Sequence, residues 1–397
     1  MNDKLTRPHF LAILCILMAF ASLSIDLYLP AMPLMEKELH GDIELTVTAF
    51  LIGFSIAQLI WGPISDSFGR RLPLFIGMFM FIVGSAGCAF SINIEQIVLW
   101  RIVQAFGACT GPMLARAMIR DSFSRIKAAQ MFSTLFFFMA VAPIVGPLIG
   151  GQIIRFSRWQ VIFGMLIVLG VFMFISLFAL PETLPEEKRV TLSFVNAFHN
   201  YLVLLKNRTF MKYTLCLTFF YVAAYAYMTG SPFVYISYFG IAPQYFGLLF
   251  GLNLLGVMAM SMINRRLVLR YPLKYLLKAA AFVSLLAAAV LALVVKLQIG
   301  GVIAVVLSIF LFFSMNGIIA ANTTTAALDS APFLAGSASA VIGALQYGSG
   351  IVSTLLLAFF HDGTPWTMAW IMLVFTFASV VTLLLPNTTV KESVVVE

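Results

Sequence analysis

Twelve apolar runs of membrane-spanning length constrain this chain more than any other feature of its sequence. They fall at roughly 9–32, 45–65, 72–92, 97–119, 130–154 and 159–181, then at roughly 210–236, 244–264, 275–296, 299–325, 333–360 and 366–386. About 20 apolar residues suffice to cross a bilayer as a helix. The expected fold is all-α and integral to the membrane, with twelve transmembrane helices in two pseudo-symmetric six-helix halves. The expected divisions are residues 1–181, a cytoplasmic linker over 182–209, and a second half with a short tail over 210–397. A chain of 397 residues that is 61% hydrophobic and only 10% charged is no soluble domain.

Charge sets the expected orientation. With the N-terminus in the cytoplasm, cytoplasmic segments carry 19 of the 24 Lys and Arg and the opposite segments carry four. Arg101 alone lies inside a span. By the positive-inside rule both termini are cytoplasmic, and the net charge of +8 needs no nucleic-acid partner. Lys4 and Arg7 precede the first run as in a signal peptide. That run is too long and lacks a small-residue cleavage pattern, so it is read as the first span. Cys15, Cys88, Cys109 and Cys216 all fall in apolar runs without metal-ligand spacing, and read as small hydrophobes.

Asp26, in Ser24-Ile25-Asp26-Leu27-Tyr28-Leu29-Pro30, is the acid most deeply embedded in an apolar run. It sits ~24 Å along the first helix, within a core ~30 Å thick. A lone carboxylate there is costly to keep ionised, which makes Asp26 the candidate for coupling to protons. Arg101 opens the fourth span ~6 Å from the outer face, and Asp26 lies ~8 Å from it. Equal depth permits an ion pair, which is expected here.

The loop Gly62-Pro63-Ile64-Ser65-Asp66-Ser67-Phe68-Gly69-Arg70-Arg71 carries its charges at a distinctive spacing. Gly62 and Gly69 are expected to permit close helix approach and a tight turn. Asp66 is expected to pair with cations such as Arg120, beside Asp121, as a latch between conformations. Pro143, Gly146, Pro147, Gly150 and Gly151 make the fifth span a small-residue helix able to bend. The halves repeat faintly: Leu51-Ile52-Gly53-Phe54 matches Leu249-Phe250-Gly251-Leu252, and the same offset places Asn264 where the first half has Asp66. Between the halves, Phe194, Phe198, Tyr201, Leu202 and Leu205 share one face of a helix expected to lie on the inner membrane surface.

The 62–71 loop, the Arg101 segment and the Pro143–Gly151 helix resemble motifs of the major facilitator superfamily, the last being associated with its antiporters. The Asp26-Leu-Tyr-Leu-Pro element and Pro181-Glu-Thr-Leu184 resemble the bicyclomycin-resistance branch of drug–proton antiporters. The resemblance implies a monomeric exporter of small, mostly apolar compounds in a bacterial cytoplasmic membrane, driven by the proton gradient without a cofactor. Polar and aromatic candidates for a cargo cavity are Tyr28, Gln58, Gln104, Tyr221, Tyr225, Asn253, Asn316 and Gln346.

Rival functions are narrower. A proton-linked metabolite transporter of the same fold is the alternative. An intramembrane enzyme lacks its parts, because His9, His40, His199 and His361 lie outside the spans or at their edges, and no second buried acid accompanies Asp26. A channel needs neither the two-half plan nor the latch.

Overall fold

The structure, a computed structural model, describes residues 8–123, 125–189, 194–331 and 334–385. Lys4, Arg7 and Lys391, counted above among the basic residues, fall outside that set, as do the side chains of Arg125, Lys127 and Lys188. Among the described residues the chain is helical throughout, with no strand.

The first crossing is α1 (Pro8–Asp26), a short 3-10 turn (Leu29–Ala31) and α2 (Met32–Leu39). It is followed by α3 (Glu44–Phe68), α4 (Arg71–Ala89), α5 (Ile94–Ser122), α6 (Arg125–Phe156) and α7 (Gln160–Ser176). A surface helix, α8 (Phe194–Lys206), leads to α9 (Arg208–Pro232), α10 (Pro243–Leu267) and α11 (Leu273–Leu297). Then come α12 (Gly301–Ser314), continued after Met315 by α13 (Asn316–Asp329), α14 (Ala335–Phe359) and α15 (Trp366–Leu384). Ten described stretches are long and apolar enough to cross a bilayer on their own. The remaining crossings are α6 and α9, the latter diluted by four tyrosines.

Two crossings are interrupted, and the sequence explains the first. Pro30 has no N–H with which to bond the carbonyl four residues back, which is that of Asp26. The α-helix therefore ends at Asp26, and the chain turns through Leu27 and Tyr28 before α2 resumes. The second interruption, at Met315, separates α12 from α13.

Large apolar side chains such as Phe79, Val168, Phe172, Leu286 and Ile303 face outward on many helices, a surface suited to lipid. Polar groups are drawn inward. The halves meet along two seams, α3 with α14 and α6 with α10. On the first, the Thr48 and Thr354 hydroxyls are hydrogen-bonded, Phe54 packs on Tyr347 with ring centroids 4.2 Å apart, and the Gln58 amide lies against Gly343. On the second, glycines allow backbone contact. A Cβ on Gly247 would come within 2.6 Å of the Leu148 nitrogen, and one on Gly151 within 2.5 Å of the Pro243 carbonyl oxygen.

The linker helix α8 is two-sided. Leu204 is buried, while Phe198, Leu202 and Leu205 are exposed together. Tyr201 donates a long 3.5 Å bond to the Leu59 carbonyl, the one that Pro63 leaves without a helical donor. The side chain of Phe194, placed on the same expected face, lies outside the described set.

Candidate functional site

Three polar centres sit inside this apolar body. The first lies at the end that carries most of the Lys and Arg. Gly69 adopts φ +88°, a left-handed value that disfavours side chains, and a Cβ there would stand 2.6 Å from the Glu182 carboxylate. Glu182 uses that space to cap α4, accepting from the backbone N–H of Arg70 at 2.9 and 3.0 Å and of Arg71 at 3.1 Å. Burial would push the Glu182 carboxyl up, but the N–H groups of Arg70, Leu184, Arg71 and Thr183 outweigh it and hold the group below its usual range. The Arg70 guanidinium, 3% exposed, donates to Asp66 Oδ1 at 2.6 Å, Ser65 Oγ at 2.9 Å and Asp121 Oδ2 at 2.8 Å.

Two expectations for this loop are corrected. Arg120 is not the partner of Asp66: its side chain is 66% exposed and reaches only Asp121, at 4.0 Å. Arg70 takes that place because it lies one helical turn after Asp66 and folds back over it. Gly62 makes no close helix approach, since a Cβ there would meet open space. In the second half Asn264, the counterpart of Asp66, is buried and exchanges two amide hydrogen bonds with Asn322, at 3.0 and 3.1 Å.

The second centre is Arg101, fully buried in α5. It donates to the Ser24 carbonyl at 2.8 Å, to Gln104 Oε1 at 2.7 Å and to the Thr46 carbonyl at 3.4 Å. Its charge lies between the rings of Tyr28 and Phe50, 4.4 and 4.5 Å from their centroids. Gln104 passes the chain on to Ser85 at 2.7 Å, and the Tyr28 hydroxyl bonds Thr46 at 3.1 Å. Tyr28 and Gln104 are therefore parts of this internal network.

The third centre is Asp26, 1% exposed, with Oδ1 lacking any hydrogen-bond partner. The ion pair expected with Arg101 is absent among the described residues. Depth matches, but facing does not: Arg101 binds the carbonyl of Ser24, and two residues advance a helix ~200°. Asp26 faces α6 instead. A Cβ on Gly146 would lie 3.2 Å from Asp26 Cβ and 3.3 Å from the Leu27 nitrogen, and one on Gly150 would overlap the Leu27 carbonyl oxygen. Pro143 and Pro147, both inside α6, remove two N–H donors from the same stretch.

Across from Asp26 stands a tyrosine cluster of the second half. Asp26 is close enough to the phenols of Tyr225 and Tyr347 to act on them electrostatically. Tyr225 packs beside Tyr221, with centroids 6.2 Å apart, and Tyr221 lies near Asn316 at the α12–α13 interruption. Two broken crossings thus present Asp26 and Asn316 to one face of α9. Asn253 lies deeper in the second half, donating to the Tyr227 hydroxyl at 2.7 Å, and Gln346 precedes Tyr347 on α14. Apart from the glycines at 343, 348 and 350 around Tyr347, nothing in the sequence pattern singles out Tyr347, Thr46, the Ser24 carbonyl or the capping role of Glu182.

Discontinuous helices around a buried polar centre, between two helical halves, define a membrane carrier. Residues 14–354 match the Major Facilitator Superfamily, and the chain belongs to that superfamily. It is a multi-pass membrane transporter, not an enzyme. It is 39% identical over 363 residues to the uncharacterized MFS-type transporter YdgK of Bacillus subtilis (strain 168), covering 89% of each chain. It is 28% identical over 379 residues to a bicyclomycin resistance protein homolog of Haemophilus influenzae, covering 94% of each. In fold it resembles the Escherichia coli xylose transporter XylE in a partially occluded inward-open conformation. The TM-score is 0.74 at 15% identity, over 96% of this chain and 99% of that one.

Proposed function

We propose that the chain is a proton-coupled antiporter that exports small, mostly apolar, drug-like compounds across a bacterial cytoplasmic membrane. It would work as a monomer, by alternating access, with both termini in the cytoplasm and the proton gradient as its energy source. The single observation that carries this reading is Asp26: a buried carboxyl without an ion-pair partner, at a helix break, between a small-residue helix and tyrosines of the other half. The cargo class rests on the aromatic, weakly polar surroundings of Asp26 and on the likeness to a bicyclomycin resistance protein homolog.

In this mechanism Asp26 carries the proton and Arg101 positions it, by holding the Ser24 carbonyl at the end of α1. The α6 helix links the coupling acid to the seam between halves. Gly146 and Gly150 touch the Asp26–Leu27 turn, while Leu148 and Gly151 touch α10. Cargo entering among Tyr221, Tyr225 and Tyr347 would displace the proton from Asp26. By reciprocity, lowering the pH would weaken cargo binding.

The test is export by purified protein in proteoliposomes under an imposed pH gradient, with a panel of apolar drugs. Asp26→Asn is expected to fold and to bind cargo, and to lose both uphill export and the pH dependence of binding. Uphill export at the normal rate by Asp26→Asn would overturn the proposal.

A further inference from the structure

A cavity of about 380 Å³ opens at the end of the molecule opposite the basic one. It lies among the last turn of α11, the start of α12, the segment that follows α9, and the loop that joins α14 to α15. Only two of the residues that line it are charged, and their signs are opposite: Lys296 and Asp362. Both are exposed, yet no ion pair joins them. Each has its own neighbour instead. The Lys296 ammonium sits over the Trp366 ring, 4.8 Å from its centroid. Asp362 Oδ1 accepts from the backbone N–H and the hydroxyl of Thr364, both at 2.9 Å. Desolvation would push the Asp362 carboxyl up, but the Thr364 donors outweigh it and hold the group below its usual range. Val305 is buried at the cavity wall, while Tyr238 and Ile299 are exposed at its rim.

One cation and one anion that share a cavity without pairing select by charge pattern. A lone anion is drawn to Lys296 and repelled by Asp362, a lone cation the reverse, and a zwitterion gains at both. At Asp362 a primary ammonium can donate hydrogen bonds that a quaternary one lacks. A free phosphorylated amine and a phospholipid headgroup share this chemistry, and the rim favours the lipid. The ends of membrane-crossing helices put both charges at headgroup depth, with Tyr238 at the interface and Ile299 beside acyl chains. We propose that this cavity binds the headgroup of a phospholipid that carries a phosphate and a primary ammonium, the phosphate on Lys296 and the ammonium on Asp362. The occupant is independent of the transport cargo.

Native mass spectrometry of the full-length protein in detergent, titrated with dioleoylphosphatidylethanolamine, tests this directly. Dioleoylphosphatidylglycerol, dioleoylphosphatidylcholine and water-soluble phosphoethanolamine serve as comparison arms. Asp362→Asn keeps an acceptor for Thr364 but loses the charge. It is expected to weaken phosphatidylethanolamine binding about fivefold and to strengthen phosphatidylglycerol binding by a similar factor. A misfolded variant would not gain affinity for the anionic lipid, so the opposite signs report on the site itself. Lys296→Gln is expected to weaken binding of both lipids, and Lys296→Arg to retain both. Phosphatidylcholine is expected to bind wild type more weakly than phosphatidylethanolamine does, and millimolar phosphoethanolamine not to displace the lipid. Unchanged phosphatidylethanolamine affinity in Asp362→Asn and Lys296→Gln would overturn the proposal, and so would displacement by phosphoethanolamine.

Discussion

Arg70 performs three tasks at once. Its guanidinium joins Asp66 to Asp121, its hydrogen bond to Ser65 fixes the end of α3, and its backbone N–H binds Glu182 of the linker. The two acids are unequal partners. Asp66 is 53% exposed and its pair is worth under about 1 kcal/mol in solvent, whereas Asp121 is 13% exposed. Arg70→Ala leaves the part-buried Asp121 with only the distant, exposed Arg120 at 4.0 Å, at a cost on the order of 3 kcal/mol. Thermal melting in detergent is expected to show a large loss for Arg70→Ala and a small one for Asp66→Asn; equal losses would remove Arg70 from the centre of the loop. The loop's importance was legible in its Gly, Asp, Gly and Arg spacing, but the partners were not. Asp26 and Arg101 make the same point. Sequence arithmetic gives depth along a helix, and both residues have it, but contact also depends on rotation and on which carbonyls compete for the guanidinium. Arg101 has three polar partners and two aromatic faces, so it has no need of Asp26.

At the scale of elements, the helix runs were legible because an unbroken apolar stretch leaves little choice in a membrane, but the first run reads as one helix although Pro30 ends α1 at Asp26. The faces of α6 were not legible, since its glycines and prolines give no apolar periodicity to read. Its small residues serve two directions: Gly146 and Gly150, a turn apart, admit the Asp26–Leu27 turn, and Gly151 admits the backbone of α10. The contacts differ in tightness, which yields a graded prediction. A methyl on Gly146 needs its neighbours to shift by a few tenths of an ångström, while one on Gly150 collides with the fixed Leu27 carbonyl. Gly150→Ala is expected to abolish most transport and lower the melting temperature, Gly146→Ala to keep a measurable rate, and Gly62→Ala to behave as wild type. A Gly150→Ala protein as active and stable as Gly62→Ala would show that α6 does not press on the Asp26 turn.

For the molecule as a whole, the two-half plan was visible as six runs, a linker and six runs, with a weak repeat at Leu51 and Leu249. The seams were invisible, because contacts between halves depend on the docking of twelve helices and leave no local pattern. They place a demand on any alternating-access cycle. Near the start of α3 and the end of α14, at the end opposite the basic one, Thr48 and Thr354 are buried and hydrogen-bonded across the halves. Opening toward that end requires them to separate. Hydroxyls in such contact bring their Cβ atoms within reach of a disulfide, so Thr48→Cys/Thr354→Cys is expected to cross-link under mild oxidation. The native Cys15, Cys88, Cys109 and Cys216 are free and buried, so the wild-type chain, which carries them alone, serves as the oxidation control. Cross-linked protein in proteoliposomes is expected to bind cargo from the basic end but to carry out no net transport, and reduction is expected to restore the rate. Each single variant should transport under both conditions, which separates locking from mere loss of a hydroxyl. Undiminished transport by fully cross-linked protein would mean that this seam stays closed throughout the cycle and that the halves part somewhere else.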